Sequence, residues 1–250
     1  MKKIGLIILA IALSVCTFGQ DVNAIIAEAK RLEAALNEKA AFNKFKEVLI
    51  TQPNHLLALT KCSELCSRIS KREKAKVVRE VYYDMAKGYA TKALAVDAKS
   101  SDANAAMAIA MGRAALEKSG KEKVAAVKDI KKYCDLAIIY NSNNAIAWHI
   151  IGKWHYEVSN LSGIERAAAK VFFGGLPSAS LKESIAAFEK AQAINAGFVL
   201  NYLEIARAYK RNGEKLKAIA ALKKLATLPN TTEDDANIKA EAAKLLKDLE

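Results

Sequence analysis

Helix-forming sequence runs through this chain with almost nothing to interrupt it. Prolines stand only at 53, 177 and 229 of its 250 residues. A proline inside a helix removes a backbone donor and clashes with the preceding turn, so their rarity leaves room for long helices. Alternating β-branched runs bounded by Asn-Gly or Asp-Gly turns, the signature of hairpins, are missing. Apolar residues make up 52% of the chain and aromatics only 7%. Alanine supplies much of the apolar share. It has the best helix propensity, and its small side chain lets helix axes approach closely. The expected class is therefore all-α, built from closely packed helices.

The apolar positions recur in a frame. Around NNAIAWHIIGKWHYEV the frame reads Trp148, Ile151, Gly152 and His155. This follows the first-helix pattern of the tetratricopeptide repeat (TPR), W-x2-L-G-x2-Y, whose second helix carries A-x3-F. Gly152 falls where the paired helix must come close. Forward, the same frame takes Tyr202, Ile205, Ala206 and Tyr209, a turn at Asn212-Gly213, then Ala218 and Leu222. Backward it takes Asn104, Met107, Ala108 and Met111, preceded by Ala86, Ala90 and Ala93. Leu59, Cys62, Ser63 and Cys66 precede these, with Ala41, Phe45 and Val48 on the helix before. Trp148 is expected to be a buried anchor of its helix pair. Thr232 and Asp235 have capping-box spacing, which predicts a last helix from about Thr232 to Leu249. The predicted architecture is a TPR-like helical-repeat superhelix with a C-terminal capping helix, occupying 20–250 as one domain.

The frame is interrupted once. Trp148 and Tyr202 stand about 54 positions apart, some 20 more than the ~34-residue period. The excess lies in NLSGIERAAAKVFFGGLPSASL, an insertion over 161–180. Insertions in repeat arrays map to one face, often the binding face. The alternative is a longer helix and loop with Phe172 and Phe173 filling the core.

Residues 1–19 read as a signal peptide. Lys2 and Lys3 precede an apolar run from Ile4 to Val15, and Thr17 and Gly19 are small residues at −3 and −1 of a cut before Gln20. The run is shorter than the ~20 residues that span a bilayer. The expected location is periplasmic or secreted. A competing reading takes LSVC as a lipoprotein box, with Cys16 lipidated and the protein held at a membrane, although Val15 is bulky for the position before that cysteine. The other cysteines are Cys62, Cys66 and Cys134. Helical i,i+4 spacing separates Cys62 and Cys66 by more than a disulfide tolerates, so small buried thiols are expected.

From Gly152 onward the sequence becomes more specific. Gly152 to Val158 (GKWHYEV), Leu161 to Arg166 (LSGIER), Phe173 to Ser178 (FGGLPS), Lys190-Ala191 and Thr232 to Asp235 (TEDD) occur in an order that resembles the regulator of microtubule dynamics family. The resemblance covers roughly 143–249. Gly163 departs from it, standing where the family often has Trp. The resemblance implies a TPR-like fold without catalysis. It also implies association with microtubules and membrane contacts in eukaryotic members, and lipid binding by the domain. A leader of the kind seen here directs a chain away from microtubules, so the fold and the idea of a ligand groove are what carry over.

Enzyme signatures are missing: GGLPSAS lacks the Lys-Ser/Thr pair of a phosphate loop, and HExxH, GxSxG and paired CxxC do not occur. His149 and His155, six apart, fall on different helix faces and are not expected to share a metal. The chain is expected not to be an enzyme and to need no cofactor. The first helices of a TPR array line its concave face, which places His149, Lys153, Tyr156 and Glu157, then Arg207, Lys210 and Arg211 in the groove. Converging cations beside an aromatic ring suit a carboxylate or phosphate. With a formal net charge of +12, the expected function is an exported scaffold or adaptor that binds a protein or peptide segment in a basic concave groove. The other reading is a carrier or sensor for a lipid or acyl ligand, anionic lipid included, held by the groove and the 161–180 insertion. Nucleic acid is not an expected partner, because aromatic interleaving and a known motif are both missing. N-terminal sequencing of the exported protein is expected to begin at Gln20. Retention of Met1, or an acylated Cys16, would contradict the signal-peptide reading.

Overall fold

The computed structural model describes residues 22–115 and 120–250, with the side chains of 120–124, 168, 172 and 173 left aside. The stretch expected to be a leader, with Cys16, lies outside the described residues, as do the side chains of Phe172 and Phe173. Among the described residues there is no strand. Helix α1 covers 22–34. It is followed by α2 (Glu38–Thr51), α3 (Leu56–Arg72), α4 (Lys76–Val96), α5 (Ser101–Ala115), α6 (Gly120–Tyr140), α7 (Ala145–Ser159), α8 (Gly163–Phe173), α9 (Leu181–Ile194), α10 (Val199–Arg211), α11 (Lys215–Thr227) and α12 (Asp235–Leu249). The pairs α3/α4, α5/α6, α7/α9 and α10/α11 pack most extensively, and α12 closes the far end against α10 and α11. This is the TPR-like helical repeat expected from the frame.

Small residues set the spacing inside each pair. Ala86, Ala90 and Ala93 of α4 and Ala103, Ala106 and Ala110 of α5 are all fully buried. A Cβ built on Gly152 would stand 2.8 Å from Cδ1 of Phe188, closer than carbon atoms pack. Phe188 is itself fully buried. Polar groups at the same seam are satisfied across helices. Ser184 Oγ donates to the Gly152 carbonyl at 2.8 Å, and Asn201 Nδ2 donates to the Phe188 carbonyl at 2.9 Å.

Two elements differ from expectation. Trp148 is only half-buried, and its Nε1–H donates to Ser142 O at 2.8 Å over the turn before α7. Trp154, nearer the C-terminus of the same helix, is the buried tryptophan at 4% exposure, with its Nε1–H on Val127 O at 2.8 Å. The second difference is at α12, which begins at Asp235 rather than Thr232. The Asp235 carboxylate faces backward and accepts from the backbone N–H groups of Thr231 and Thr232 at 2.7 and 3.0 Å, and from both hydroxyls. The two residues do pair, but to tie down the loop ahead of the helix. Cys62, Cys66 and Cys134 are buried free thiols, and burial pushes the Cys62 thiol up to about 12.

The insertion carries α8. Ser162 and Glu165 form its capping box, and Gly174 ends it in the left-handed conformation at φ 68°. Arg166 folds back onto the carbonyls of Val158, Ser159 and Leu161 and fixes the turn out of α7. The helix packs against α6.

The first helices α3, α5, α7 and α10 contact one another in series, whereas among the described residues the second helices α4, α6, α9 and α11 do not contact one another in this way and pack mainly on neighbouring first helices. The first helices therefore form the tight inner side of an arc. The arc is closed: Glu38 at the start of α2 donates its N–H to the Glu233 carboxylate at 2.6 Å, and Arg72 at the end of α3 reaches Glu233 at 3.2 Å and Asp234 at 3.4 Å.

Urea denaturation of three variants checks this packing. Trp154→Ala is expected to cost about 3–5 kcal/mol, the range for large aromatics in cores. Trp148→Ala should cost clearly less. Gly152→Ala should cost about 1–3 kcal/mol, because the Phe188 ring has no room to retreat. Equal losses at the two tryptophans, or a neutral Gly152→Ala, would contradict the packing described.

Candidate functional site

The inner side of the arc is built from α7 and α10, which stand side by side. Lys153 and Arg207 occupy equivalent positions in their repeats, five residues after Trp148 and Tyr202 respectively. Packing brings these two cations to one carboxylate. Lys153 Nζ lies 2.8 Å from Glu204 Oε2, and Arg207 Nη1 lies 2.7 Å from Glu204 Oε1. Lys153 also meets Glu157 at 2.9 Å, and Arg207 pairs with Glu241 of α12. Burial alone would raise the Glu204 pKa, but the Lys153 ammonium and the Arg207 guanidinium together hold the carboxyl below its ordinary value.

Two cations approach the Tyr156 ring. The Lys153 ammonium lies 5.3 Å and the Arg211 guanidinium 5.0 Å from its ring centre. Arg211 also donates to the Tyr156 carbonyl at 2.7 Å. Lys210, on the next position of α10, is exposed. Lys153, Tyr156, Arg207 and Arg211 thus come together, and the ion pairs leave their shared surface close to charge balance rather than plainly basic.

His149 lies elsewhere. It is buried between α7 and α10, with Phe198 and Phe188 at 4.7 and 5.5 Å between ring centres. Its Nδ1 meets Asn201 Oδ1 at 3.0 Å. Because the Asn201 amide nitrogen donates to Phe188 O, its oxygen must accept, so the proton sits on His149 Nδ1. Burial drives the His149 pKa down. His155 faces the other side of α7, 3.3 Å from Glu183 of α9, and burial lowers its pKa too. Among the described residues no group of three or more His, Cys, Asp or Glu side chains is arranged to hold a metal ion.

Sequence reasoning missed Glu204 and Asn201, which organise the seam. Neither sits at a repeat-signature position, and a single glutamate among apolar residues carries no local signal. It also missed the charged lining contributed by α1 and α3. There Arg68 pairs with Glu33 and Glu38, and Lys61 lies 3.3 Å from Glu33 and 3.1 Å from Glu64.

The family model described as Regulator of microtubule dynamics protein 1-3 matches residues 25–250. The chain belongs to this family. The match reaches through the first half, where only a generic helical repeat was readable. Regulator of microtubule dynamics protein 1 of Mus musculus is 32% identical over 184 residues, 73% of this chain and 59% of its own length. The Caenorhabditis elegans protein of the same name is 26% identical over 186 residues, 74% of this chain and 80% of its own. The chain thus spans little more than half of the mouse relative. Among solved structures, the thermophilic TPR protein TTC0263 of Thermus thermophilus superposes with a TM-score of 0.66 over 90% of this chain and 99% of that one, at 14% identity. Membership accords with the close-packed seam, since GKWHYEV supplies Gly152, Lys153, Trp154, His155 and Tyr156 together.

The two lowered histidines give a pH dependence. A base whose folded pKa is depressed contributes stability that is complete above the unfolded value, about 6.5, and is lost as pH falls toward the folded value. Stability of this family member should therefore decline from about pH 7 to pH 5. The double variant His149→Gln/His155→Gln should flatten that slope, whatever its absolute stability. Chemical denaturation at pH 5, 6 and 7 measures it, and an undiminished slope in the double variant would contradict the assignment.

Proposed function

We propose that the chain is a non-catalytic TPR-like adaptor, exported by its leader, that holds a protein or peptide segment against the inner face of its helical arc. The observation that carries this reading is the lining shared by α7 and α10. Tyr156 presents an aromatic platform between Lys153 and Arg211, beside the Glu204 and Arg207 pair. Such a surface suits a polar segment that can exchange its own charged groups and amides for those already paired there. Membership in a family named for regulation of microtubule dynamics supports action through protein contacts. The leader argues that the partner of this chain is an exported or envelope protein rather than tubulin.

A second reading, an acyl or lipid ligand, draws on α8. Ile164 is 84% exposed and Val171 77%, seven residues apart on one face of that helix. They are two of the most exposed large apolar side chains described, and both belong to the insertion.

A photo-crosslinking amino acid distinguishes the readings. Placed at Lys153 or Arg207 in cells exporting the chain, it should give discrete protein adducts identifiable by mass spectrometry. Placed at Leu216, which is exposed on α11, it should not. Adducts only from Leu216 would overturn the inner-face reading. A lipid retained in native mass spectrometry and released by Ile164→Glu/Val171→Glu would favour the second.

A further inference from the structure

The ring closes where the loop ahead of α12 meets α2 and α3, and polar contacts cross this joint. Glu233 accepts the N–H of Glu38, the first residue of α2, at 2.6 Å. Arg72 at the end of α3 lies 3.2 Å from Glu233 and 3.4 Å from Asp234, and Lys71 lies 3.8 Å from Asp234. Apolar packing stays on either side. Ile238, Ala242 and Leu249 of α12 cluster with buried residues of α9, α10 and α11, whereas the buried apolar residues of α1, α2 and α3 cluster with α4 and α5. Among the described residues neither cluster takes a member from the other end. Apolar burial is the dominant favourable term in most protein contacts, and here it does not bridge the two ends.

The charges at the joint divide unevenly between its two sides. Arg72 Nη2 lies 2.6 Å from Glu38 Oε2, and Arg68 Nη1 lies 3.1 Å from Glu38 Oε1. The α2–α3 side is thus compensated within itself, and parting the joint leaves neither guanidinium without a carboxylate. On the other side Asp234 stands at the N-cap of α12 but makes no side-chain capping bond, so the helix does not depend on it. The closed joint, by contrast, is under-bonded. Glu38 Oε1 and Arg72 Nη1 are buried and form no hydrogen bond, although Arg68 and Asp234 stand within ion-pair distance of them. Three carboxylates, of Glu38, Glu233 and Asp234, crowd the one Arg72 guanidinium. Desolvating such charges can cost as much as their pairing returns, and unsatisfied buried groups add to that cost. Closed and open joints are therefore close in free energy.

We propose that this joint is an ionic latch: the ring opens between the loop ahead of α12 and the α2–α3 end, and a protein segment reaches the inner face through the gap. The proposal rests on the inner-face reading above and names how access to that face is controlled. Salt sets the direction. Screening weakens the attraction across the joint, and the parted carboxylates gain water, so rising ionic strength favours the open form.

The test places spin labels on the full chain, in a Cys16→Ser background, through Ala35→Cys and Ala240→Cys. Both positions are exposed, one just before α2 and the other in the second turn of α12. Cys62, Cys66 and Cys134 are buried and leave the label to the two new thiols. Dipolar distance measurements in low salt should give one short distance. Molar sodium chloride should raise the share of a longer distance several-fold. In Glu233→Ala/Asp234→Ala the longer distance should predominate already in low salt, with the helical circular dichroism signal kept. Arg72→Gln, which leaves the carboxylates facing one another, should do the same. The salt series needs no substitution in the joint, so a variant that fails to fold leaves the test intact. A distance unmoved by salt and unmoved in every folded variant would overturn the proposal. The photo-crosslinking amino acid at Lys153 then reads access: its protein adducts should rise several-fold in Glu233→Ala/Asp234→Ala. Adducts held at the wild-type level in a ring shown to be open would overturn the latch as a control of access. A joint that opens without adducts in any variant would remove the adaptor reading alone, and adducts from a joint that never opens would remove the latch alone.

Discussion

Two helix axes can approach closely only where the side chains between them are small, and this chain meets that condition with alanine and one decisive glycine. Gly152 lies against the ring of Phe188, with no space for even a methyl group. The contact holds α7 to α9 across an insertion of about 20 residues, where the repeat would otherwise have lost its register. The consequences spread outward from it. Ser184 bonds the Gly152 carbonyl, Asn201 bonds the Phe188 carbonyl, and His149 takes its proton position from Asn201. The α7–α9–α10 seam is therefore one connected polar and apolar unit. Loosening the glycine contact would misplace Lys153 and Arg207 relative to Glu204.

The inner lining is governed by charge compensation. A basic chain folds so that its inward cations share carboxylates, and the surplus positive charge is left largely on the outside. Pairs that retain partial exposure contribute little to stability on their own. Their importance is geometric, since each holds a long side chain in one orientation on the inner face. The closure formed by Glu38, Arg72, Glu233 and Asp234 stands out against that background. That closure joins residues nearly 200 positions apart.

Much of the fold was legible before the structure. Most positions named from the repeat frame, among them Phe45, Cys62, Ala90, Met107, Tyr202, Ile205 and Leu222, are buried. Lys153, Tyr156, Arg207 and Arg211 do share one surface, as equivalent positions on consecutive first helices should. The two tryptophans exchanged roles, however. Trp148 fits the template letter but lies over a turn, and Trp154 reaches the core because α6 passes above it and offers the Val127 carbonyl to its N–H. His149 was placed in the groove and is in fact sealed between two phenylalanine rings. Its helix face turns toward α10 rather than toward the open side.

What the sequence by itself determined is local: helical content, the period of small and apolar positions, the free buried thiols and the family to which the chain belongs. These follow from i,i+3 and i,i+4 periodicity and short motifs, which need no knowledge of distant chain. The tertiary structure alone decided which charges meet. The small rotation between successive helix pairs accumulates along the array until the loop before α12 returns to α2 and α3. Partners such as Glu38 and Glu233, or Lys153 and Glu204, are selected by that accumulated rotation. No window of sequence contains it, and so the neutralised lining became visible only in three dimensions.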